Sequence, residues 1–347
     1  MTRLYATLPL LLALVSALIV ISCGLWLSGI SAFSVFSALL QGASGDTYRL
    51  SETLVKACPL LFTGLSVSLA LHAGLWNIGA EGQLLIGALS AVWIGQYTSD
   101  LPHIWGILLT CSAAMLGGGF WASCAAVLKN TRGVNEVIST IMLNFIAAGL
   151  VSYCVHGPLM EIGAQYPQTD PLPDAARLPR LFPPARLHVG VIVAVLTAIC
   201  MQMLLFRTKE GLKLRATGAN PLAARFAGIA VNRQILLAFL ISGALSGLAG
   251  GIEVSGVTQR VYEKFSPGYG YTAIAVALVG QRSPLGVTVA ALFFGALEAG
   301  SGAMQRMAGI SSVLVSVIQA VVVFCLAAYS TQAARRVLQK QLERTTV

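Results

Sequence analysis

Nine long apolar runs, separated by short polar segments, constrain what this chain can fold into. They cover residues 8–30, 57–72, 84–99, 104–128, 138–156, 188–206, 235–256, 285–303 and 310–330. A helix needs about 20 mostly apolar residues to cross a bilayer. Only 10% of the 347 residues are charged, whereas roughly a quarter are charged in a soluble domain. The pattern predicts an all-α polytopic membrane protein, with a single transmembrane domain over 1–347 surrounded by the lipid bilayer.

The distribution of basic residues predicts the orientation. The net charge is +9, but the basic residues lie in short segments between apolar runs without interleaved aromatic residues, which indicates positive-inside topology and no nucleic-acid partner. With a cytoplasmic N-terminus, the segments 129–137 and 207–234 fall inside. Nine spans would leave the basic tail 331–347 outside, whereas it also falls inside if 271–281 forms a short tenth segment. Lys and Arg then number 14 inside and 8 outside. We therefore predict about ten membrane segments with both termini cytoplasmic.

A polar, glycine-containing interruption separates the second and third runs. Residues 74–83 read Gly-Leu-Trp-Asn-Ile-Gly-Ala-Glu-Gly-Gln. Such a break is costly in a membrane unless it lines a cavity or meets another part of a protein, so it points to transport. The charge count places it toward the cytoplasmic side. The candidate substrate-pathway residues are Asn77, Glu81, Gln83 and, within the fifth run, Asn144.

Two interpretations are open for these polar side chains. Glu81 either faces the pathway or caps the helix that begins near Gln83, where the positive N-terminal end favours a carboxylate. Asn144 either faces the interior or forms a hydrogen bond between helices.

The segment 207–234 is the longest predicted cytoplasmic connection. Six basic residues against Glu210 give it a net charge of +5. Asn220 precedes Pro221, which is a favourable pair at a helix start, and Gly228 is typical of a helix end. A short helix is therefore predicted between them.

The predicted short helix carries a small apolar stripe. Leu222, Phe226 and Ile229 recur at helical spacing. The stripe either lies on the membrane surface or occupies a groove of a cytoplasmic motor subunit.

The longest predicted extracytoplasmic loop, 157–187, holds seven of the thirteen prolines. Proline-rich segments are extended and semi-rigid. The loop is either a connector or a docking platform for an external partner.

Four blocks of sequence together resemble a known family. They are Asn-Ile-Gly-Ala-Glu-Gly-Gln at 77–83, Gly-Val-Asn-Glu-Val-Ile-Ser-Thr-Ile-Met-Leu-Asn at 133–144, Gly-x-Asn-Pro-x-Ala-Ala-x-x-x-Gly-Ile at 218–229, and Ala-Leu-Val-Gly at 277–280 followed by Pro-Leu-Gly at 284–286. The set resembles the permeases of ATP-binding-cassette importers for branched-chain amino acids, ribose and nucleosides. The form of the first block is most similar to the nucleoside (simple sugar) type.

The resemblance implies a ten-helix permease without an ATP site, located in a bacterial plasma (inner) membrane. Its partners would be cytoplasmic ATP-binding subunits, a second and often non-identical permease, and an extracytoplasmic solute-binding protein. The residues implied in coupling to the ATPase are Gly218, Asn220, Pro221, Ala223, Ala224, Arg225, Gly228 and Ile229. The chain contains no Gly-x-x-x-x-Gly-Lys-[Ser/Thr] phosphate loop, so ATP hydrolysis would come from a partner.

The sequence thus favours a transport subunit over an enzyme. Its seven cysteines and four histidines show no metal-ligand spacing, and no catalytic residue, metal or cofactor is predicted. We expect a permease subunit that translocates nucleosides or related simple sugars delivered by an external binding protein. The alternative is a secondary transporter coupled to a proton or sodium gradient through Glu81. The sequence leaves the substrate, and whether the permease pair is identical or not, undecided.

Overall fold

The protein is described by a computed structural model over residues 2–27, 29–163, 165–325 and 328. Within these ranges the chain is helical, with two isolated β-bridges and no strand, which confirms the predicted all-α class. The basic tail 331–347 lies outside the described residues. The helices are α1 (Thr2–Leu27), α2 (Ala32–Ser44), α3 (Thr47–His72), α4 (Ala80–Gly95), α5 (His103–Arg132), α6 (Glu136–His156), α7 (Gly190–Arg207), α8 (Lys209–Ala219), α9 (Pro221–Phe226), α10 (Val231–Glu253), α11 (Tyr269–Val279), α12 (Pro284–Ala308) and α13 (Val313–Cys325).

Six helices of the described chain are long and apolar enough to cross a membrane. They are α3, α5, α6, α7, α12, and α10 together with the π-helical turn Val254–Thr258 that follows it. The shorter apolar helices are Val15–Leu27 within α1, then α2, α11 and α13. The number of ten segments and the cytoplasmic position of both termini stay predictions.

Two elements differ from the sequence-based prediction. The nine predicted runs include none over residues 32–44, where α2 lies, and its 13 residues are fewer than a spanning helix needs. The helix α3 begins at Thr47, ten residues before the apolar run, because charged residues in its first turns have partners in the fold. One of them, Glu52, accepts hydrogen bonds from Arg186 Nε at 3.0 Å and from Arg186 Nη2 at 2.5 Å.

Small residues determine how closely α4, α5 and α10 approach one another. In α10, a Cβ added to Gly247 would overlap the carbonyl oxygen of Ala114 in α5, and Gly87 of α4 meets the same glycine from the other side. Close approach of backbones through glycine is typical of membrane helices. Glycine therefore sets the close spacing of α4, α5 and α10.

The chain divides into two compact units. One comprises Met1–Leu50 and Ala296–Val347, and the other comprises Ser51–Gly295. In the first unit, α2 packs on α12 where a Cβ at Gly300 would lie 2.6 Å from the carbonyl oxygen of Leu39. The second unit contains the polar break, the proline-rich loop and the segment 207–234, so the candidate site lies within it.

The proline-rich loop folds onto the end of α10. We refer to residues 157–189, which comprise the predicted extracytoplasmic loop 157–187 and the two residues before α7, as the outer loop; its extracytoplasmic position stays a prediction. The amide of Leu172 donates to the carbonyl of Gln259 at 2.7 Å, and the amide of Thr169 donates to the carbonyl of Val261 at 2.9 Å. The loop is thus a packed part of the unit, and its docking role stays a prediction.

A histidine is enclosed where the outer loop meets the start of α7. His188 is 1% exposed, and its ring packs against Gly190 and Gly256. Neither ring nitrogen has a hydrogen-bond partner within the described part of the chain. Burial lowers the pKa of His188 to about 4, because the charged imidazolium is poorly solvated there.

We predict that this histidine makes the fold acid-sensitive. The unfolded chain binds the proton with a pKa near 6.5, so the stabilisation from a neutral buried His188 is complete above that pH and is lost as the pH falls toward 4. His188→Leu, of similar volume, should flatten the decline in melting temperature between pH 7 and pH 4.5. Thermal denaturation of the purified protein measures it. The exposed His103→Gln is the control, and equal slopes in all three proteins would contradict the assignment.

Candidate functional site

The polar break is an irregular segment between α3 and α4. The chain leaves α3 at His72 and turns at Gly74, whose φ is +73°, a conformation that suits glycine. It then runs without helical structure to Gly79, where α4 begins. The predicted interruption is therefore present, and it separates two helices of the same unit.

Two carboxamides hold the break together. Asn77 Nδ2 donates to Gln83 Oε1, and Gln83 Nε2 donates back to Asn77 Oδ1, both at 2.9 Å. The amide of Gly79 also donates to Asn77 Oδ1 at 3.0 Å. Asn77 and Gln83 are each 1% exposed. Because each buried amide satisfies the other, the turn into α4 has a defined geometry.

Three serines extend this network to neighbouring helices. Asn77 Nδ2 also donates to Ser242 Oγ of α10 at 2.7 Å. Ser242 Oγ donates to the carbonyl of Ser66 at 2.9 Å, and Ser246 Oγ donates to Ser66 Oγ at 2.8 Å. Ser242 lies about 16 Å along α10 from its first residue at 1.5 Å per residue. The break therefore reaches about half-way along that helix.

Asn144 holds the start of α4 from the side of α6. Its Oδ1 accepts the amide hydrogen of Gly82 at 2.8 Å, and its Nδ2 donates to the carbonyl of Ile78 at 2.9 Å. An amide at an unwound turn thus satisfies two backbone groups that have no helical partner. Its interior position agrees with the interhelical interpretation.

Glu81 joins the N-terminal ends of two short helices. It lies in the first turn of α4, and its Oε2 accepts the amide hydrogen of Gly270 at 2.7 Å, at the start of α11. A Cβ at Gly270 would overlap the backbone of Glu81, so only glycine permits this approach. A carboxylate is favourable at both positive helix ends. The capping interpretation therefore describes this side chain, although the helix that it caps is α11.

The structure thus places all four candidate pathway residues at the break, buried, with hydrogen-bond partners. Asn77 and Gln83 bond to each other, whereas Asn144 and Glu81 bond to backbone groups of the break and of α11. Their role in the pathway stays a prediction. The long-range partners, Ser242 and Gly270, were not identified from the sequence because no local pattern marks them.

The predicted short helix in the segment 207–234 is present as α9. Asn220 Oδ1 accepts the amide hydrogens of Leu222 at 3.0 Å and Ala223 at 3.1 Å, with Pro221 as the first helical residue. Gly228 follows with a φ of +79°. The start and end signals read from the sequence are confirmed, and the coupling role stays a prediction.

One face of α9 is uncovered. Phe226 is 93% exposed and Leu222 is 67% exposed, while Ala224 is buried and Ile229 is partly buried. Arg225 is exposed beside them. The pair of large apolar side chains, one helical turn apart, therefore has no cover within the described chain.

The C-terminal end of α8 contacts the beginning of the polar break. A Cβ at Gly218 would overlap the carbonyl oxygen of His72 and would lie 2.6 Å from the amide nitrogen of Gly74. Gly218 precedes the Asn220 cap of α9 by two residues. The uncovered helix and the break are therefore joined through one backbone contact.

Comparison with known proteins gives one family. A family model described as "Branched-chain amino acid transport system / permease component" matches residues 49–327.

Three relatives align over much of the chain. The guanosine ABC transporter permease protein NupP of Bacillus subtilis is 35% identical over 95% of this chain and 96% of its own length. The glucose ABC transporter permease protein TsgB13 of Haloferax volcanii is 39% identical over 80% of this chain and 76% of its own length. A second Bacillus subtilis protein, the guanosine ABC transporter permease protein NupQ, is 29% identical over 70% of this chain and 78% of its own length.

We predict that Glu81 stabilises the meeting of α4 and α11. Glu81→Ala leaves the buried amide of Gly270 without an acceptor, which costs about 1–3 kcal/mol, whereas Glu81→Gln keeps an acceptor oxygen and should lower the melting temperature less. Thermal denaturation of the purified protein measures both. Glu263→Ala, on an exposed part of the chain, is the control. Melting temperatures equal to that of the wild type for both Glu81 variants would exclude this role.

Proposed function

Because the chain belongs to the family of permease components of the branched-chain amino acid transport type, we propose that it translocates nucleosides or related simple sugars as one subunit of an ATP-driven importer. It is a multi-pass protein of the plasma membrane. The ATP hydrolysis is supplied by cytoplasmic ATP-binding subunits, and the solute is delivered by an extracytoplasmic binding protein.

The observation that carries this proposal is the uncovered face of α9. A helix of six residues is too short to be stable alone in water, and it presents Phe226 and Leu222 to solvent. A groove on an ATP-binding subunit would bury both side chains, in the manner of an amphipathic helix in an apolar groove. The positive charge of Arg225 beside them favours a groove that has acidic residues at its rim.

The contact between α8 and the break provides a route for coupling. Movement of α9 acts through Asn220 on Gly218, which packs on Gly74. From Gly74 the break leads within three residues to Asn77, which is bonded to α10. A displacement of α9 is thereby transmitted to the hydrogen bonds of Asn77, which lie about half-way along α10. A coupled two-state element of this kind is what alternating access requires.

In this proposal the four pathway residues hold in position the helices that line the route of the solute. Asn77, Gln83 and Asn144 hold the wall at the start of α4, while Glu81 holds α11 against it. Two short helices whose N-terminal ends meet inside the membrane are typical of transporter binding regions. The neutral solute passes beside this frame, and the energy for switching comes from the ATPase.

The secondary-transport alternative finds no support. The carboxylate of Glu81 is already bonded to the amide of Gly270, and the three relatives described above are named as ABC transporter permeases.

The outer loop is the proposed platform for the solute-binding protein. It exposes large apolar side chains, with Ile162 at 97%, Tyr166 at 72% and Phe182 at 63%. Its bonds to residues 259–261 connect it to the segment that leads into α11. Binding at the loop can therefore bias the position of α11.

A second permease of different sequence is part of the proposal. Two different proteins of Bacillus subtilis, 35% and 29% identical to this chain, match it over most of its length. The first covers almost the whole chain and is named for guanosine, which favours a nucleoside over glucose. Competition by a panel of nucleosides and sugars against labelled guanosine uptake decides the substrate class.

We predict that Phe226 is required for docking to the ATPase. Phe226→Ser removes the largest uncovered side chain and should weaken association with the ATP-binding subunits at least about tenfold, as loss of a buried aromatic anchor does. Leu212→Ser, also exposed but in α8, is the matched control and should change little. Copurification and ATP-driven uptake in vesicles measure the effect. Unchanged association in Phe226→Ser would place the motor contact elsewhere.

We predict that Gly218 transmits the motion rather than binding the motor. In Gly218→Ala the added methyl group cannot fit against His72 and Gly74, so α8 separates from the break. Uptake should fall several-fold while ATPase association stays normal, because α9 is unaltered. Ala219→Ser is the control at a neighbouring exposed position. Normal uptake by Gly218→Ala would show that this contact is not the coupling route.

A further inference from the structure

Three buried serines connect α3 to α10, and we refer to them as the serine cluster. Ser66 lies in α3, while Ser242 and Ser246 lie one helical turn apart in α10, and all three are 0% exposed. The Oγ atoms of Ser66 and Ser242 lie 2.8 Å apart. Ser242 Oγ donates to the carbonyl of Ser66 at 2.9 Å, and Ser246 Oγ donates to Ser66 Oγ at 2.8 Å. Each hydroxyl group therefore has a partner within the cluster.

On one side of the serine cluster, α10 is packed tightly on α4 and α5. A Cβ at Gly247 would overlap the carbonyl oxygen of Ala114 in α5, and a Cβ at Gly250 would overlap the carbonyl oxygen of Leu84 in α4. Contact of backbone with backbone leaves no space in which these helices can shift against one another. The helices α4, α5 and α10 therefore form one packed group.

On the other side of the serine cluster, α3 is packed on α11 and α12. A Cβ at Gly64 of α3 would lie 2.9 Å from the side chains of both Val276 in α11 and Val287 in α12. Val67 of α3 also belongs to a buried apolar cluster with Ala273 of α11. The helices α3, α11 and α12 therefore form a second packed group.

The two groups also meet at the start of α4. Ala80 joins the apolar cluster of α3 and α11, and the amide of Gly270 donates to Glu81 Oε2. A contact between helix starts can act as a pivot. The chain itself passes from one group to the other through the break, which turns at Gly74 and has no helical structure before α4. An irregular segment of this kind is suited to act as a hinge, and Gly218 of α8 contacts it.

Hydroxyl groups provide a reversible contact between two packed groups. Hydrogen bonds between helices of membrane proteins are weak on average, although a buried hydroxyl group without a partner is costly. A closed cluster, and an open one whose hydroxyl groups bond to water, are therefore two favourable states. The glycine contacts of α10 have no such second state, because water does not replace the lost packing.

We propose that α3 separates from α10 at the serine cluster and returns to it in each transport cycle. The helices α11 and α12 move with α3, while α4 and α5 stay with α10. A displacement of α9 reaches the hinge at Gly74. The bond from Asn77 Nδ2 to Ser242 Oγ, at 2.7 Å, holds the following part of the break on α10. This inference rests on the proposed function, and it identifies the surface at which the permease opens.

A reversible cross-link tests whether the serine cluster opens. Ser66→Cys combined with Ser246→Cys places two thiol groups where the hydroxyl oxygens are 2.8 Å apart, which is close enough for a disulfide to form on oxidation. The matched control is Gly119→Cys combined with Ala244→Cys. This pair joins α5 to α10 where the two Cβ atoms would lie 3.7 Å apart. Both pairs include one residue of α10, but only the first spans the surface proposed to open.

Uptake is measured in the reassembled transporter in vesicles, with ATP inside and labelled guanosine outside. Failure of the wild type to take up guanosine would count against the proposed function itself. Given that uptake, the cross-linked fraction of the first pair should lose it at least about tenfold, because one of the two states is no longer accessible. Reduction should restore uptake, and association with the ATP-binding subunits should stay normal throughout.

The oxidised control pair should transport normally, as should the oxidised wild type with its seven native cysteines. Undiminished uptake by the cross-linked first pair would overturn the proposal. An equal loss in the control pair would also overturn it, since α5 and α10 would then not move as one group.

Labelling of one thiol gives a second test that does not require a disulfide. Ser246 is 0% exposed in this conformation, so a water-soluble maleimide should modify Ser246→Cys only during ATP-driven uptake, when the serine cluster opens to water. The wild type treated in the same way gives the background from the native cysteines, and mass spectrometry locates the modified residue. Absence of modification at position 246 during uptake, or equal modification without ATP, would overturn the proposal.

Discussion

The hydrogen bond between the carboxylate of Glu81 and the amide of Gly270 brings two helix N-terminal ends together inside the membrane unit. Each end carries unsatisfied amide groups and a partial positive charge, so their approach is unfavourable without an acceptor between them. Glu81 supplies that acceptor, and Gly270 permits the contact because it has no side chain. The break, the orientation of α4 and the start of α11 all depend on this arrangement.

The polar groups at the break are satisfied within the protein. Asn77 and Gln83 exchange two hydrogen bonds, and Asn144 satisfies backbone groups of Ile78 and Gly82. A network without unpaired amides defines a single geometry. In the proposed function, such a geometry suits a frame that transmits motion from Gly218.

Much of the fold could be predicted from sequence because its signals are local. The apolar runs predicted the helical class, and the Asn220–Pro221 pair and Gly228 predicted α9. The first turns of α3 were not predicted because they contain charged residues such as Glu52. Its partner, Arg186, is 134 residues away in the sequence, so no local pattern indicated that the charge is paired. The same limitation applies to Glu81, because the amide that it accepts from belongs to Gly270, 189 residues away.

The source of the energy for transport is the central claim, and uptake by the purified subunit tests it most directly. The permease is reconstituted in vesicles with or without its ATP-binding subunits, and labelled guanosine uptake is followed with ATP or with an imposed proton or sodium gradient. The account predicts uptake only with the ATP-binding subunits and ATP, and none driven by either gradient alone. Uptake that follows an ion gradient in vesicles lacking the ATP-binding subunits would contradict it.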